Sequence, residues 1–277
     1  MKNVDRTKQE QGGLNQMEIS LKQQVAKYWD NTPCGTDNIT FAEGSLEFFE
    51  EIENRRYELE PFIHSFAQFT RWRGKKVLEV GCGAGTDLLQ FARAGANVMG
   101  VDISSHSVTL TKKRLELYGL EADIRQADSE NLPFPPNEFD LVYSWGVIHH
   151  TPDTEKAISE IHRVLKPGGN ILIMIYNKNS INVLKHYLWN GPYKGKIFAS
   201  LSKIVSENIE SPGTKAHTIK EARQLFSLFS NVEIKPVLTF YDRVGKIAKL
   251  ASFMNLLTDR FGWFILIKGK KPFNRQL

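Results

Sequence analysis

The sequence predicts an α/β fold built on a mostly parallel sheet, and three observations carry that prediction. Val77 to Ala92 reads VLEVGCGAGTDLLQFA: an apolar, β-branched run, three glycines at alternate positions, then a helix with apolar periodicity. Further short apolar runs follow, the next two stopping at the carboxylates Asp102 and Asp128. Helical patterns separate these runs, which implies parallel strands joined by right-handed crossovers.

In chain order, residues 1–16 are polar, include Gly12-Gly13 and are expected to be a disordered tail. Residues 17–73 are expected to be a helical N-terminal extension. Ile19, Leu21, Val25, Ala26 and Trp29 give 17–30 an amphipathic pattern, NTPCG forms a turn, and 45–72 is a second helical stretch that Pro61 breaks or restarts. Residues 74–277 form the main domain. Its strands are expected at 75–80, 97–101, 122–127, 139–144 and 170–176, with two more at 232–240 and 263–268. Ser104 or Ser105 caps the helix after the second strand, and Thr218 opens another before the sixth. Two helical insertions, 181–211 and 241–261, exceed a minimal core. Insertions of this kind lie at the carboxyl ends of the strands, where open α/β sheets bind ligands, and are read as a lid; a dimer surface or extra core are the alternatives.

Composition is that of an ordinary globular chain: 277 residues, 41% hydrophobic and 24% charged. No apolar run approaches the roughly 20 residues that span a bilayer. The polar start MKNVDRTKQEQGGLNQ holds no apolar signal segment. Two cysteines, Cys34 and Cys82, make no disulfide framework and point to a reducing cytoplasm. Neither a CxxC nor an HExxH spacing occurs, so no metal site is expected. Charge is uneven: residues 1–181 hold 20 Lys and Arg against 25 Asp and Glu, and residues 182–277 hold 16 against 6. The basic last third suits an acidic substrate, an anionic membrane surface or RNA, or simply solvates helix faces.

The glycine turn narrows the chemistry. A dinucleotide fingerprint places its third glycine at position 86, where this chain has Thr86. What stands here is GxGxG (Gly81, Gly83, Gly85) behind an acidic strand end, Glu79. Asp102 closes the second strand, where a carboxylate accepts the ribose hydroxyls of an adenosyl group; that alone does not separate a nicotinamide cofactor from S-adenosylmethionine (SAM).

Glu79 and the three glycines resemble motif I of the class I SAM-dependent methyltransferases. The series LPF (132–134), FDLVYS (139–144), IHHTPD (148–153) and VLKPGGNILI (164–173) is similar to the small-molecule members of that family, which include ubiquinone and menaquinone biosynthesis and natural-product methyltransferases. The resemblance covers about 74–177. It implies a Rossmann-like seven-stranded, mostly parallel sheet with helices on both faces and an antiparallel last strand. It implies SAM as cofactor and S-adenosylhomocysteine as product. By the same resemblance Gly81, Cys82, Gly83 and Gly85 form the turn that meets the methionine part, and Glu79 reaches toward it. Asp102 holds the ribose, Ile103 lies against the adenine, and Asp128 accepts from the adenine amine beside Ser129. Ser144 and Trp145 lie near the sulfonium. Tyr28 closes over the cofactor or packs in the core.

Methyl transfer from SAM is a direct in-line displacement, so alignment and exclusion of water supply most of what a protein must provide, about 7–11 kcal/mol. An acid–base residue is needed only for an acceptor that loses a proton. His149 and His150 are the candidates; a structural or capping role is the alternative. The expected function is a SAM-dependent methyltransferase acting on O, N or C of a secondary metabolite, quinone or lipid-like compound. A tRNA- or protein-directed enzyme using the basic last third is the alternative, and a binding protein or nicotinamide enzyme of the same fold is a third. SWGV after the fourth strand, in place of an Asn/Asp-Pro-Pro-Tyr run, and the lack of a cysteine after position 82 speak against nucleic-acid substrates. The expected partners are a small-molecule acceptor and, for a monomer or homodimer, at most peripheral membrane contact.

Overall fold

The computed structural model describes residues 21–195, 198–242 and 259–273. The expected tail at 1–16 and most of the expected insertion at 241–261 lie outside the described residues.

Seven strands form one sheet: β1 (Lys76–Val80), β2 (Asn97–Asp102), β3 (Asp123–Gln126), β4 (Phe139–Trp145), β5 (Leu165–Tyr176), β6 (Ser230–Val237) and β7 (Phe264–Lys270). Their order is β3-β2-β1-β4-β5-β7-β6. The first five pair in parallel, and β7 runs antiparallel between β5 and β6. This is the Rossmann-like sheet expected from the sequence. The order reverses between β1 and β4, so the carboxyl ends of β1, β2 and β4 surround a crevice where a ligand can sit.

Strand residues alternate between two apolar layers, as a period of two requires. Val77, Leu141 and Tyr143 face one layer, and Leu78, Val142 and Ile171 the other. The first layer is covered by α3 (Phe62–Ala67), α4 (Thr86–Arg93) and α5 (Ser105–Leu117), the second by α6 (Thr154–Val164) and α9 (Ile219–Leu225). β5 starts earlier than its apolar run predicts. Leu165 pairs with Phe139, the register then shifts, and Gly168 at φ 77° donates its N–H to the Lys271 carbonyl.

Helix starts follow local chemistry. Ser104 Oγ accepts from the Ser107 N–H at the start of α5, and Asp153 caps α6 through the Lys156 N–H. Thr218 and Glu221 form a reciprocal capping box on α9. In the N-terminal extension, residues 21–31 are helix α1, and α2 spans Leu46–Leu59. Pro61 ends that stretch and opens α3. The 181–211 insertion contains α7 (Ile181–Asn190) and α8 (Leu201–Asn208), whose Val183 and Val205 join the first layer. No helix among the described residues is long and apolar enough to cross a membrane.

Candidate active site

Two cavities of about 340 and 230 Å³ open over the carboxyl ends of the strands and share walls at Gly81, Gly83, Arg56, Glu60, Trp145 and Glu210. The glycine turn between β1 and α4 forms their floor. All three of its glycines have positive φ, the left-handed region that a Cβ disfavours. Their surroundings differ. A Cβ on Gly81 would lie 2.1 Å from Val147 Cγ2, and one on Gly85 3.0 Å from Thr111 Cγ2, whereas one on Gly83 meets nothing within 4 Å. Gly81 and Gly85 are therefore demanded by the protein's own packing. Gly83 alone opens on free space that a ligand can fill.

Asp102, at the end of β2, ties this turn down. Its Oδ2 accepts from the Gly83 N–H and its Oδ1 from the Ser104 N–H, both at 2.9 Å. Burial raises its carboxyl above the ordinary range, and these backbone donors oppose the rise. Ile103, Asp128 and Ser129 line the same side of the larger cavity. Asp128 is already engaged: Lys22 of α1 reaches its Oδ2 at 2.8 Å, and the Glu130 N–H donates to its Oδ1. Helix α1 thus lies across this half of the site. Tyr28 and Trp29 also come from α1. Tyr28 is half-buried on the smaller cavity, and Trp29 lines both.

The smaller cavity collects charge. Glu79 is 3% exposed, and its Oε2 has no hydrogen-bond partner among the described residues. Burial, with Asp87 and Asp102 nearby, pushes its carboxyl well above the ordinary range. Asp87, 1% exposed, accepts from Arg56, Tyr57 and Tyr143. Glu60 caps α2, and its Oε2 accepts from the Trp145 indole N–H at 2.9 Å. Its carboxyl is raised to about 7, chiefly by burial. Cys82 is buried on this cavity, with Sγ 3.6 Å from Thr111 Oγ1.

Three expected site residues do not reach either cavity. Gly85 serves only the turn. Ser144 is fully buried and donates its hydroxyl to the Val80 carbonyl at 3.0 Å. His149 is 0% exposed and packs on Tyr176, ring centroids 4.0 Å apart; neither ring nitrogen has a hydrogen-bond partner among the described residues. Burial, then His150, His217 and Lys215, lower its pKa well below the ordinary value. His149, one of the two acid–base candidates read from the sequence, thus lies away from both cavities.

His150 does line the larger cavity, and a residue that the sequence reading missed stands in front of it. Glu210, just after α8, places Oε2 2.7 Å from the Tyr176 hydroxyl and 3.1 Å from His150 Nε2. On its other side, His150 Nδ1 lies 2.9 Å from both Thr214 Oγ1 and Ser211 Oγ. Arg56, Glu60 and Lys22 were missed as well. Their signal is weak in sequence, since each is one more charge on an amphipathic helix.

Residues 78–173, the stretch that holds the glycine turn and the later motifs, match the family model described as a methyltransferase domain. The ubiquinone biosynthesis O-methyltransferase of Pseudomonas aeruginosa (strain UCBPP-PA14) is 35% identical over 107 residues, 38% of this chain and 46% of that protein. A fatty-acid O-methyltransferase of Mycolicibacterium smegmatis is 37% identical over 125 residues, 44% of each chain. The chain thus spans about half the length of these curated relatives. Geranyl diphosphate C-methyltransferase from Streptomyces coelicolor, solved with Mg2+, geranyl diphosphate and S-adenosylhomocysteine, has the same fold: TM-score 0.59 at 16% identity, covering 91% of this chain and 98% of that one.

Proposed function

We propose that this chain is a SAM-dependent methyltransferase acting on a small-molecule acceptor. The observation that carries the reading is Glu79 Oε2, buried and without a partner among the described residues, beside a glycine turn of which only Gly83 faces free space. A buried carboxylate oxygen left without a donor is costly, and an ammonium group from the methionine part of SAM would supply that donor. Arg56, beside it, suits the methionine carboxylate. Asp102 keeps lone pairs for the ribose hydroxyls while its two backbone bonds hold it still, and Asp128, Ile103 and Ser129 line the adenine side. Relatives that methylate a quinone precursor or a fatty acid, as their names state, support a small-molecule acceptor.

When bound, SAM supplies an activated methyl group and its own leaving group. The protein's task is then to align and to exclude water. Trp145 spends its indole N–H on Glu60, which fixes the ring at the junction of the cavities. The Rossmann-like sheet fixes the turn, and α1 covers the adenosine half. For an acceptor that must lose a proton, His150 and Glu210 are the groups placed at the cavity. The same reading takes the enzyme as cytoplasmic, on its two free cysteines, and as a monomer or homodimer.

Calorimetry with SAM, S-adenosylhomocysteine and NAD tests the proposal. SAM and S-adenosylhomocysteine should bind and NAD should not; binding of NAD alone would overturn it.

A further inference from the structure

We propose that the part of the larger cavity in front of Glu210 is a binding site for an organic ammonium group, with Glu210 as its counter-ion. The inference rests on the methyltransferase reading in one respect: the ammonium group would belong to the acceptor.

Four observations converge. First, Glu210 is built into place. Tyr176 donates to its Oε2, and His150 stands behind the same oxygen without being aligned for a hydrogen bond. Tyr176 and His150 are positioning residues, themselves buried at 5% and 3% exposure. Second, Oε1 of Glu210 receives no hydrogen bond from any described residue, while the side chain keeps 39% exposure in a residue that lines both cavities. One carboxylate oxygen is therefore held by Tyr176, and the other has no donor among the described residues. Third, Glu210 has φ 55°. Glutamate has no short polar side chain to favour this left-handed conformation, so surrounding structure must hold it there, a cost found where a side chain is aimed for a purpose.

Fourth, the wall around that space is aromatic. Trp29, Tyr241, Trp263 and Phe264 line the larger cavity beside Trp145, which has Arg56 over its ring, and Tyr176, whose ring packs on His149 and Trp263. Ring faces carry negative quadrupole charge and attract cations, most strongly where water is excluded. The cationic side chains of the described wall already face carboxylates, Lys22 those of Asp128 and Glu130 and Arg56 that of Asp87. His186, at the rim, has its pKa lowered by burial. A neutral acceptor of similar shape would leave Glu210 Oε1 without a donor, whereas a protonated or alkylated amine satisfies both the carboxylate and the rings.

The test uses the full chain saturated with S-adenosylhomocysteine, so that the cofactor half is filled. Choline and its uncharged isostere 3,3-dimethyl-1-butanol are titrated by calorimetry and by tryptophan fluorescence. Choline should bind about tenfold more tightly than the isostere. Glu210→Gln should bring the two within about twofold in the S-adenosylhomocysteine-saturated chain. Tyr241→Leu, whose ring packs on Phe240 and Phe264 and which serves if the first variant misfolds, should weaken choline severalfold and the isostere little. The proposal is overturned if choline does not bind, if it and the isostere bind equally, if both variants keep the wild-type preference, or if choline and S-adenosylhomocysteine compete. Competition would assign the cage to the cofactor's own cation. Failure of S-adenosylhomocysteine to bind counts separately, against the methyltransferase reading, and the choline preference is then measured on the free chain.

Discussion

Replacing Glu60 by glutamine should stabilise the protein above neutral pH and leave it nearly unchanged in acid. Glu60 is 8% exposed and accepts from the Trp145 indole N–H. Burial lifts its carboxyl from 4.5 to about 7, Arg56 pulling it down and Asp87 pushing it up. The sign follows from where the proton is held. The unfolded chain releases it near 4.5 and the folded chain only near 7, so rising pH across that interval favours unfolding. Below the interval both states are protonated and there is no penalty. Above it the penalty is complete, about 3 kcal/mol from the separation of the two values. Glutamine keeps an amide oxygen for Trp145 and carries no charge to bury. The difference in stability between Glu60→Gln and wild type should therefore grow from near zero at about pH 4 to about 3 kcal/mol at about pH 8, or about 5–8 °C in Tm for a chain of this size. Calorimetric melts of both proteins at constant ionic strength measure it. Groups that titrate alike in both cancel in the difference. A Tm difference that stays constant across this range would refute the buried, proton-holding Glu60.

The remaining predictions concern the turn and the cofactor. Gly81→Ala should cost more than about 2 kcal/mol in denaturant unfolding, since its Cβ runs into Val147 at a left-handed position; Gly83→Ala should fold with a smaller loss and instead weaken SAM in calorimetry. Asp102→Ala should weaken SAM by about 1.5–3 kcal/mol, with part of that loss arising from release of the Gly83 and Ser104 N–H groups. His149→Gln should retain most of the turnover on the true acceptor, because the ring it replaces reaches neither cavity.

The sheet was legible in the sequence because parallel strands buried on both faces read as apolar runs, and the glycine turn and helix caps punctuate them. The strand ends moved by a few residues: β5 gained the KPGG segment because pairing of Leu165 with Phe139 cannot be seen in one strand's composition. Glu79, Asp102 and Asp128 stand at or just past strand ends, where the resemblance to the family's motifs marks them. Glu60, Arg56 and Glu210 do not. They come from segments outside residues 78–173 and reach the site only through packing of α2 and of the chain after α8, which no local pattern encodes. His149 and His150 show the limit from the other side. They are identical neighbours in sequence, yet the 3₁₀ turn at Ile148–His150 buries one against Tyr176 and presents the other to Glu210.

Helix α1 lines both cavities and is held by polar contacts together with the buried Val25 and the Trp29–His150 ring contact, and its influence should appear in rates. Lys22 bonds Asp128 and Glu130, and Asp30 Oδ1 accepts from the Ser104 hydroxyl at 2.8 Å and the His106 N–H at 3.2 Å. Lys22 and Asp128 keep 25% and 30% exposure, and a pair of this kind contributes at most about 1 kcal/mol; Lys22 also meets Glu130, which is 3% exposed. Opening such a segment exposes the adenosine side without disturbing the glycine turn or the sheet. Lys22→Ala and Asp30→Ala should therefore speed S-adenosylhomocysteine dissociation severalfold, with association nearly unchanged, in stopped-flow fluorescence that uses Trp29 as the reporter. If α1 is instead a fixed wall, both variants will lower thermal stability and leave the dissociation rate as it was.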